Sequence, residues 1–229
     1  MYKLESVHNI LKRRCAGIIL FVILSLPGVL SAKDDVVQCG NLIFAGNNTS
    51  RCFSDEFLST VQKKTSIATA RRFKSVKLSS DELFKIPFVV MTGESDFHLN
   101  RKESDNLKSY LSKGGFMLVS AGCSSKSFRT AFLREIKRVF GTNALKPIPM
   151  DHVLFRTVYK IGKLELTHGA SAVKPELLGL ELNGKIVLVF SPHGLNDTAH
   201  TKGCCCCGGN EIRNAIKINV NILTYALMH

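Results

Sequence analysis

Three short, continuous apolar runs alternate along this chain with segments of helical periodicity. The runs span residues 87–92, 116–120 and 186–191. A strand with one face in water would show a polar residue at every second position, so an unbroken apolar run predicts a strand that is covered on both faces. Such strands occur almost only in parallel sheets packed between helices. The pattern therefore predicts an α/β fold, a three-layer sandwich around a mostly parallel sheet.

The segments between the runs carry the signals of helix ends and turns. Asn100 and Glu103 have the spacing of a capping box, and Asn183-Gly184 is the dipeptide of a two-residue hairpin turn. The last helix is predicted from an apolar stripe of Ile212, Ile216, Val220, Leu223 and Leu227. These signals place helices between the buried strands and a hairpin before the last strand.

The N-terminal residues have the organisation of an export signal. Lys12, Arg13 and Arg14 precede an apolar stretch over residues 15–26, and the small residues Ser31 and Ala32 follow. A basic region, a short apolar region and a small-residue exit predict a secretory signal peptide over residues 1–32. The alternative is an uncleaved membrane anchor formed by residues 15–30. Residues 33–229 are then one α/β domain, exported to the periplasm or the extracellular space.

The charge balance is strongly basic, with a formal net charge of +13. The basic residues are spread along the whole chain, and no basic run is interleaved with aromatic residues, so nucleic-acid binding is not expected. A distributed basic surface favours a partner in an anionic envelope or at a membrane surface.

The chain carries four adjacent cysteines, Cys204, Cys205, Cys206 and Cys207. Two glycines and the last apolar-periodic segment follow, which predicts that the thiols lie at the N-terminus of the last helix, where the helix dipole favours thiolate. Cys204 and Cys207 have the C-x-x-C spacing of a metal or redox pair. Adjacent side chains diverge, so two or three of these thiols are the expected ligands of Zn²⁺ or Cu⁺, with His200 or Cys123 as a further ligand.

Two classes of function fit these thiols. The first is a binding module with a thiol or metal site at the start of the last helix. The alternative is a thiol-dependent enzyme, either an oxidoreductase using Cys204 and Cys207 or a hydrolase using Cys123, which lies just after the strand predicted at residues 116–120. The base of such a hydrolase would be His193 or His168. A purely structural role, in which the adjacent thiols form disulfides that staple the last helix, is also open.

Two cysteines near the start of the domain are candidates for a disulfide. Cys39 and Cys52 flank the first predicted strand region, and an oxidising compartment would allow them to pair. A loop of this size is worth roughly 3 kcal/mol in the chain-entropy description. The pairing would leave an odd number of thiols in the exported domain.

Several blocks of sequence, in order, carry a resemblance to a known family. They are residues 82–93, 107–116, 132–140, 151–155 and 219–229. Together they resemble the bacterial family called domain of unknown function 4159, over roughly residues 40–229. The resemblance implies a flavodoxin-like or class I glutamine amidotransferase-like α/β fold and no established activity. Within the family, the segment from Cys204 to Asn210 resembles the mark of a subgroup.

The amidotransferase-like relatives bear on Cys123. It stands about where those enzymes carry their nucleophile, but Ala121 and Ser125 occupy the positions where a nucleophile elbow has glycine. His193 is followed by Gly194 and Leu195, so the His-x-Glu pair of the glutaminases is missing. The resemblance therefore does not imply glutaminase chemistry.

Overall fold

A computed structural model of the chain describes residues 36–49, 53–168, 174–196 and 209–229. Its strands are β1 (Cys39–Ile43), β2 (Lys74–Lys77), β3 (Phe88–Gly93), β4 (Phe116–Ala121), β5 (Leu145–Pro147), β6 (Leu178–Leu182) and β7 (Lys185–Ser191). Its helices are α1 (Glu56–Lys64), α2 (Arg101–Ser112), α3 (Lys126–Phe140) and α4 (Ala215–Met228).

The strands form one sheet in the order β2-β1-β3-β4-β7-β6-β5. The first five strands in this order are parallel to one another. The last two, β6 and β5, are antiparallel and form one edge. The prediction of an α/β fold with a mostly parallel sheet is confirmed.

Helices cover both faces of the sheet. Alternate residues of each central strand point to opposite sides, so each strand contributes to two hydrophobic cores. Phe88 and Val90 of β3 pack in a core with α1 and α4. Val89 and Met91 pack in a second core with α2 and α3. All four side chains are at most 1% exposed, which explains why this strand is an unbroken apolar run.

Several helix and strand ends lie where local sequence signals predict them. The Asn100 side chain accepts a hydrogen bond from the Glu103 N–H, and the Glu103 carboxylate accepts one from the Asn100 N–H, which completes the capping box of α2. Asn183 and Gly184 have φ values of 52° and 76°, as a two-residue hairpin turn between β6 and β7 requires.

The start of the last helix differs from the prediction. α4 begins at Ala215, so Cys207 is not in its first turn, and the placement of the four adjacent cysteines at the helix N-terminus is wrong. The backbone just before α4 forms hydrogen bonds to other segments instead of helical ones. The Ile212 N–H donates to the Gly194 carbonyl at 3.1 Å, and the Arg213 N–H donates to the Glu165 carbonyl at 2.7 Å. These bonds hold the segment extended, and a helix starts only after it.

Two strands also differ from expectation. The apolar residues 42–45 predict the first strand, whereas β1 spans Cys39–Ile43, because Ala45 has a φ of 45° and belongs to a turn. β5 was not predicted, since three residues ending in a proline give no periodic signal.

Some predictions concern residues outside the described ranges. These are the export segment of residues 1–32, Cys52, His200 and the four adjacent cysteines. Within the described ranges, no helix is long and apolar enough to span a membrane.

Candidate functional site

The carboxyl ends of three adjacent parallel strands, β3, β4 and β7, meet at one edge of the sheet. In open α/β sheets, ligands bind at this edge. Glu94 follows β3, Cys123 follows β4 and His193 follows β7. The structure therefore brings together two residues that the sequence singled out, Cys123 and His193, and we call this region the carboxyl edge.

Cys123 lies in a tight turn between β4 and α3. It has φ 50° and ψ 31°, and Ser124 has a φ of 56°, so two consecutive non-glycine residues adopt the left-handed conformation. Such residues cost free energy, and they persist only where surrounding contacts enforce them. Reactive and ligand-binding residues are often held in this way.

Neighbouring elements hold this turn by three hydrogen bonds. The Cys123 N–H donates to Glu211 Oε1 at 3.0 Å. Ser124 Oγ donates to the His193 carbonyl at 2.8 Å, and Ser125 Oγ donates to the Glu94 carbonyl at 2.5 Å. The ends of β3 and β7 and the segment before α4 are thus joined to the Cys123 turn.

A buried polar network lies beneath the turn. Asn196 is fully buried, and its Nδ2 donates to Glu211 Oε1 at 2.8 Å. Its Oδ1 accepts hydrogen bonds from Ser120 Oγ at 2.6 Å and from Thr92 Oγ1 at 3.3 Å. The network orients the Glu211 carboxylate, which is itself only 6% exposed, toward the Cys123 N–H.

Gly209 approaches the backbone of Cys123 very closely. A Cβ atom at Gly209 would lie 2.6 Å from both Cα and the carbonyl carbon of Cys123. Any larger residue would force the two segments apart. The glycine that follows the adjacent cysteines therefore has a packing role against the Cys123 turn.

His193 also lies at this edge, and its buried ring lacks one hydrogen bond among the described residues. It is 8% exposed, and its Nδ1 has no hydrogen-bond partner in the described part of the chain. Burial, and then the positive charge of Arg129 in α3, lower the pKa of its imidazole. The ring is therefore neutral at pH 7, the form that accepts a proton or binds a metal ion.

The other predicted site residues have different surroundings. His168 is exposed, and its backbone N–H donates to Asn210 Oδ1 at 2.9 Å, which places it on the strand-like segment beside Glu211. Cys39 is a fully buried thiol in β1, and burial raises its pKa to about 12. Its pairing with Cys52 stays a prediction, because Cys52 lies outside the described residues.

The described residues hold no group of metal ligands, and a groove in the sheet lies away from the carboxyl edge. Among the described residues, no three histidine, cysteine, aspartate or glutamate side chains come together as metal ligands. A groove of about 540 Å³ lies at the antiparallel end of the sheet, where its lining includes Lys146, His152 and Glu181.

The sequence did not single out Glu211, Asn196 and the two hydroxyl residues of the network. Thr92 and Ser120 are the last residues of two apolar runs, where a polar residue indicates only that the strand ends. Glu211 and Asn196 flank the segment of the adjacent cysteines, and only the fold shows that both turn inward to the same carboxyl edge.

A family model with the description Domain of unknown function (DUF4159) matches residues 46–227. No curated protein matches the chain.

Proposed function

The chain belongs to the DUF4159 family, a domain of unknown function, as its sequence blocks predicted, and we propose that it is a binding module for a soft metal ion. In this proposal, thiolates among Cys204, Cys205, Cys206 and Cys207 hold the ion with His200, and the carboxyl edge of the sheet carries the functional surface.

The observation that carries the proposal is that the residues on both sides of the cysteine segment are held by buried contacts. Its preceding residue, Asn196, is fully buried in the polar network, and its following residue, Gly209, packs on the backbone of Cys123. Glu211, two positions later, accepts hydrogen bonds from both Asn196 and Cys123. The residues on either side of this segment are therefore held in place by the buried network and by the Cys123 turn. Fixed ends of this kind help to keep the ligands of a binding site in position.

The chemistry of the donor set favours a soft ion. Thiolate and imidazole are the ligands of Zn²⁺ and Cu⁺, and C-x-x-C spacing is typical of such sites. Adjacent side chains diverge, so Cys204 and Cys207 are the pair best able to share one ion, with a third ligand from His200.

We expect protein purified without chelator to contain stoichiometric zinc or copper, measured by elemental analysis. Replacing both Cys204 and Cys207 with serine is expected to remove that metal. Thermal unfolding of the variant serves as the control, because the core of the domain lies elsewhere and the fold should persist. Metal retained in full by this double variant would contradict the proposal.

A redox function is the second candidate, favoured by the same C-x-x-C pair. Without bound metal, Cys204 and Cys207 would cycle between dithiol and disulfide, with a reduction potential above the roughly −300 mV below which structural disulfides lie. Stable disulfides from these cysteines to Cys39, Cys52 or Cys123, with no metal bound, would make the segment a structural staple, and both functional proposals would be wrong.

We also propose a flavodoxin-like arrangement of the sheet. The parallel strands have the order β2-β1-β3-β4-β7, which matches the doubly wound order of flavodoxin-like folds. This order supports a flavodoxin-like arrangement, with the class I glutamine amidotransferase-like fold as the related alternative.

We place the protein outside the cytoplasm, on the pattern of residues 1–32. Its basic surface then fits an envelope or membrane-surface partner. N-terminal sequencing of native protein is expected to show a start near Lys33. A start at Met1 in the membrane fraction would indicate the anchor formed by residues 15–30, and a start at Met1 in the soluble cytoplasm would contradict export.

A further inference from the structure

We propose that one edge of the domain is a docking surface for an anionic phospholipid bilayer. This inference rests on the proposed membrane-surface partner, and it names the part of the molecule that meets the membrane. We call this part the basic edge. It carries six exposed basic residues, which are Lys63, Lys64, Arg71, Arg72, Lys74 and Lys77.

The basic edge is formed by a single stretch of the chain that contains charge of only one sign. Residues 57–80 hold all six basic residues and no aspartate or glutamate. Other surface elements mix the two signs, as in α2, where Glu103 and Asp105 lie between Lys102 and Lys108. A surface with charge of one sign has a positive potential that attracts anionic partners.

The fold holds this stretch along one side of the domain. β2 is the outermost strand at this end of the sheet, and α1 ends at Lys64. The loop between them is tied to α1, because Thr69 Oγ1 donates to the Leu58 carbonyl at 2.8 Å. It is also tied to the segment before β1, because the Ala70 N–H donates to the Val37 carbonyl at 3.0 Å. The basic residues therefore lie on a fixed surface.

Most of this charge is available to an outside partner. Lys74 forms an ion pair with Glu82, at 3.4 Å between Nζ and Oε2. Within the part of the chain that the structure describes, the other five basic residues form no ion pair. Their positive charge is therefore not neutralised by neighbouring carboxylates of the described chain.

Ordinary structural roles account for only part of the basic edge. The two lysines in the last turn of α1 interact favourably with the helix dipole, and lysines on an edge strand prevent pairing with another strand. Neither role applies to Arg71 and Arg72, which lie in a bend between α1 and β2. Exposed arginines fit a partner that offers phosphate groups, because a guanidinium can bind two phosphate oxygens at once.

A bilayer fits this edge better than a nucleic acid does. Phe73, the aromatic residue between the two arginines and β2, packs against Phe53 and Phe57, with ring centroids 6.1 and 6.0 Å apart, so it is not presented to stack on bases. Val36 directly precedes Val37 and is 57% exposed. An exposed apolar side chain beside basic residues suits a surface whose charged headgroups cover an apolar interior.

The test measures cosedimentation of the purified protein with two kinds of vesicle, one of phosphatidylcholine alone and one of equal parts phosphatidylcholine and phosphatidylglycerol. We expect binding to the anionic vesicles only, and we expect that binding to be lost as NaCl rises from about 0.05 M to about 0.5 M, because salt screens exposed charges. Each basic residue near an anionic surface strengthens binding severalfold, so a fourfold variant should bind at least about tenfold more weakly. Its changes are Lys63→Gln, Lys64→Gln, Arg71→Gln and Arg72→Gln.

A matched control removes the same amount of charge from the other side of the sheet. It changes four exposed lysines of α2 and α3 to glutamine, which are Lys102, Lys108, Lys126 and Lys137. We expect this variant to bind anionic vesicles almost as well as the native protein. All eight positions are exposed, so both variants are expected to fold, and thermal unfolding checks this. Equal losses of binding would overturn the basic edge and leave the membrane-surface partner standing.

A lysine footprint decides the case in which residues 15–30 hold the protein on both kinds of vesicle. Anionic vesicles, compared with neutral ones, are expected to protect Lys63 and Lys64 from acetylation by acetic anhydride, as mapped by mass spectrometry. Lys102 and Lys108 should react equally with both. Protection of all four lysines alike, or of none, would overturn the proposal. If the native protein is neither sedimented nor protected by anionic vesicles, the membrane-surface partner is wrong as well, whereas metal content and the N-terminal sequence test the other proposals separately.

Discussion

Replacing Asn196 with alanine is expected to lower the free energy of unfolding by about 3 kcal/mol. The amide of Asn196 binds the Ser120 hydroxyl, the Thr92 hydroxyl and the Glu211 carboxylate. Alanine would leave these groups with fewer partners at a fully buried position. A buried polar group without a partner costs about 1–3 kcal/mol, and a carboxylate costs more. Urea denaturation measures the change.

The matched control is Asn47→Ala. Asn47 is exposed in the turn after β1, and a surface change of this kind shifts stability by no more than about 0.5 kcal/mol. Equal, small effects of both substitutions would show that Asn196 does not anchor the carboxyl edge. The same Asn196 variant should also bind less metal, since it releases one end of the segment that carries the cysteines.

Replacing Glu135 with glutamine is expected to lower the free energy of unfolding at pH 7 by about 2 kcal/mol. Glu135 is 2% exposed in α3 and binds Arg138 Nη2 at 2.5 Å and Arg134 Nε at 3.2 Å. Breaking a fully buried ion pair costs about 3–5 kcal/mol. The arginine side chains are 38% and 48% exposed, so solvent screens part of this interaction and the smaller value is expected.

The same substitution should change how stability depends on pH. Burial raises the pKa of Glu135, but hydrogen bonds and charges from Arg138 and Arg134 outweigh burial and hold the pKa below its ordinary value. A lowered pKa in the folded state contributes stability that is present above the unfolded pKa of about 4.3 and is lost as the pH falls through the folded pKa. The difference between the native protein and Glu135→Gln should therefore shrink below about pH 4. The exposed Glu176→Gln is the control, and a difference that stays constant with pH would contradict this account.

Periodicity and local caps predicted the framework of this fold because they depend on neighbours in sequence. The run at β3 is apolar because both of its faces are covered, and the Asn100–Glu103 box depends on residues three apart. The start of α4 was not predictable in this way. Ile212 continues the apolar stripe of the helix, but its N–H is bound by Gly194, which is distant in sequence, and that contact overrides the helical signal.

In the candidate site, too, some residues could be predicted from their sequence neighbours and others could not. Cys123 and His193 could be found from the sequence because each lies two residues after the end of a recognisable buried strand. Glu211 and Asn196 could not, because their roles depend on which strands become neighbours. β4 pairs with β7, and this pairing brings the two ends of the segment with the adjacent cysteines to the Cys123 turn.

X-ray absorption spectroscopy of the metal in the purified protein tests the central claim most directly. A site built from the adjacent cysteines predicts a first shell with two or three sulfur atoms, at about 2.3 Å if the ion is zinc. Loss of the sulfur shell in the Cys204→Ser, Cys207→Ser double variant would complete the assignment. A first shell of oxygen and nitrogen atoms alone in the native protein would contradict it.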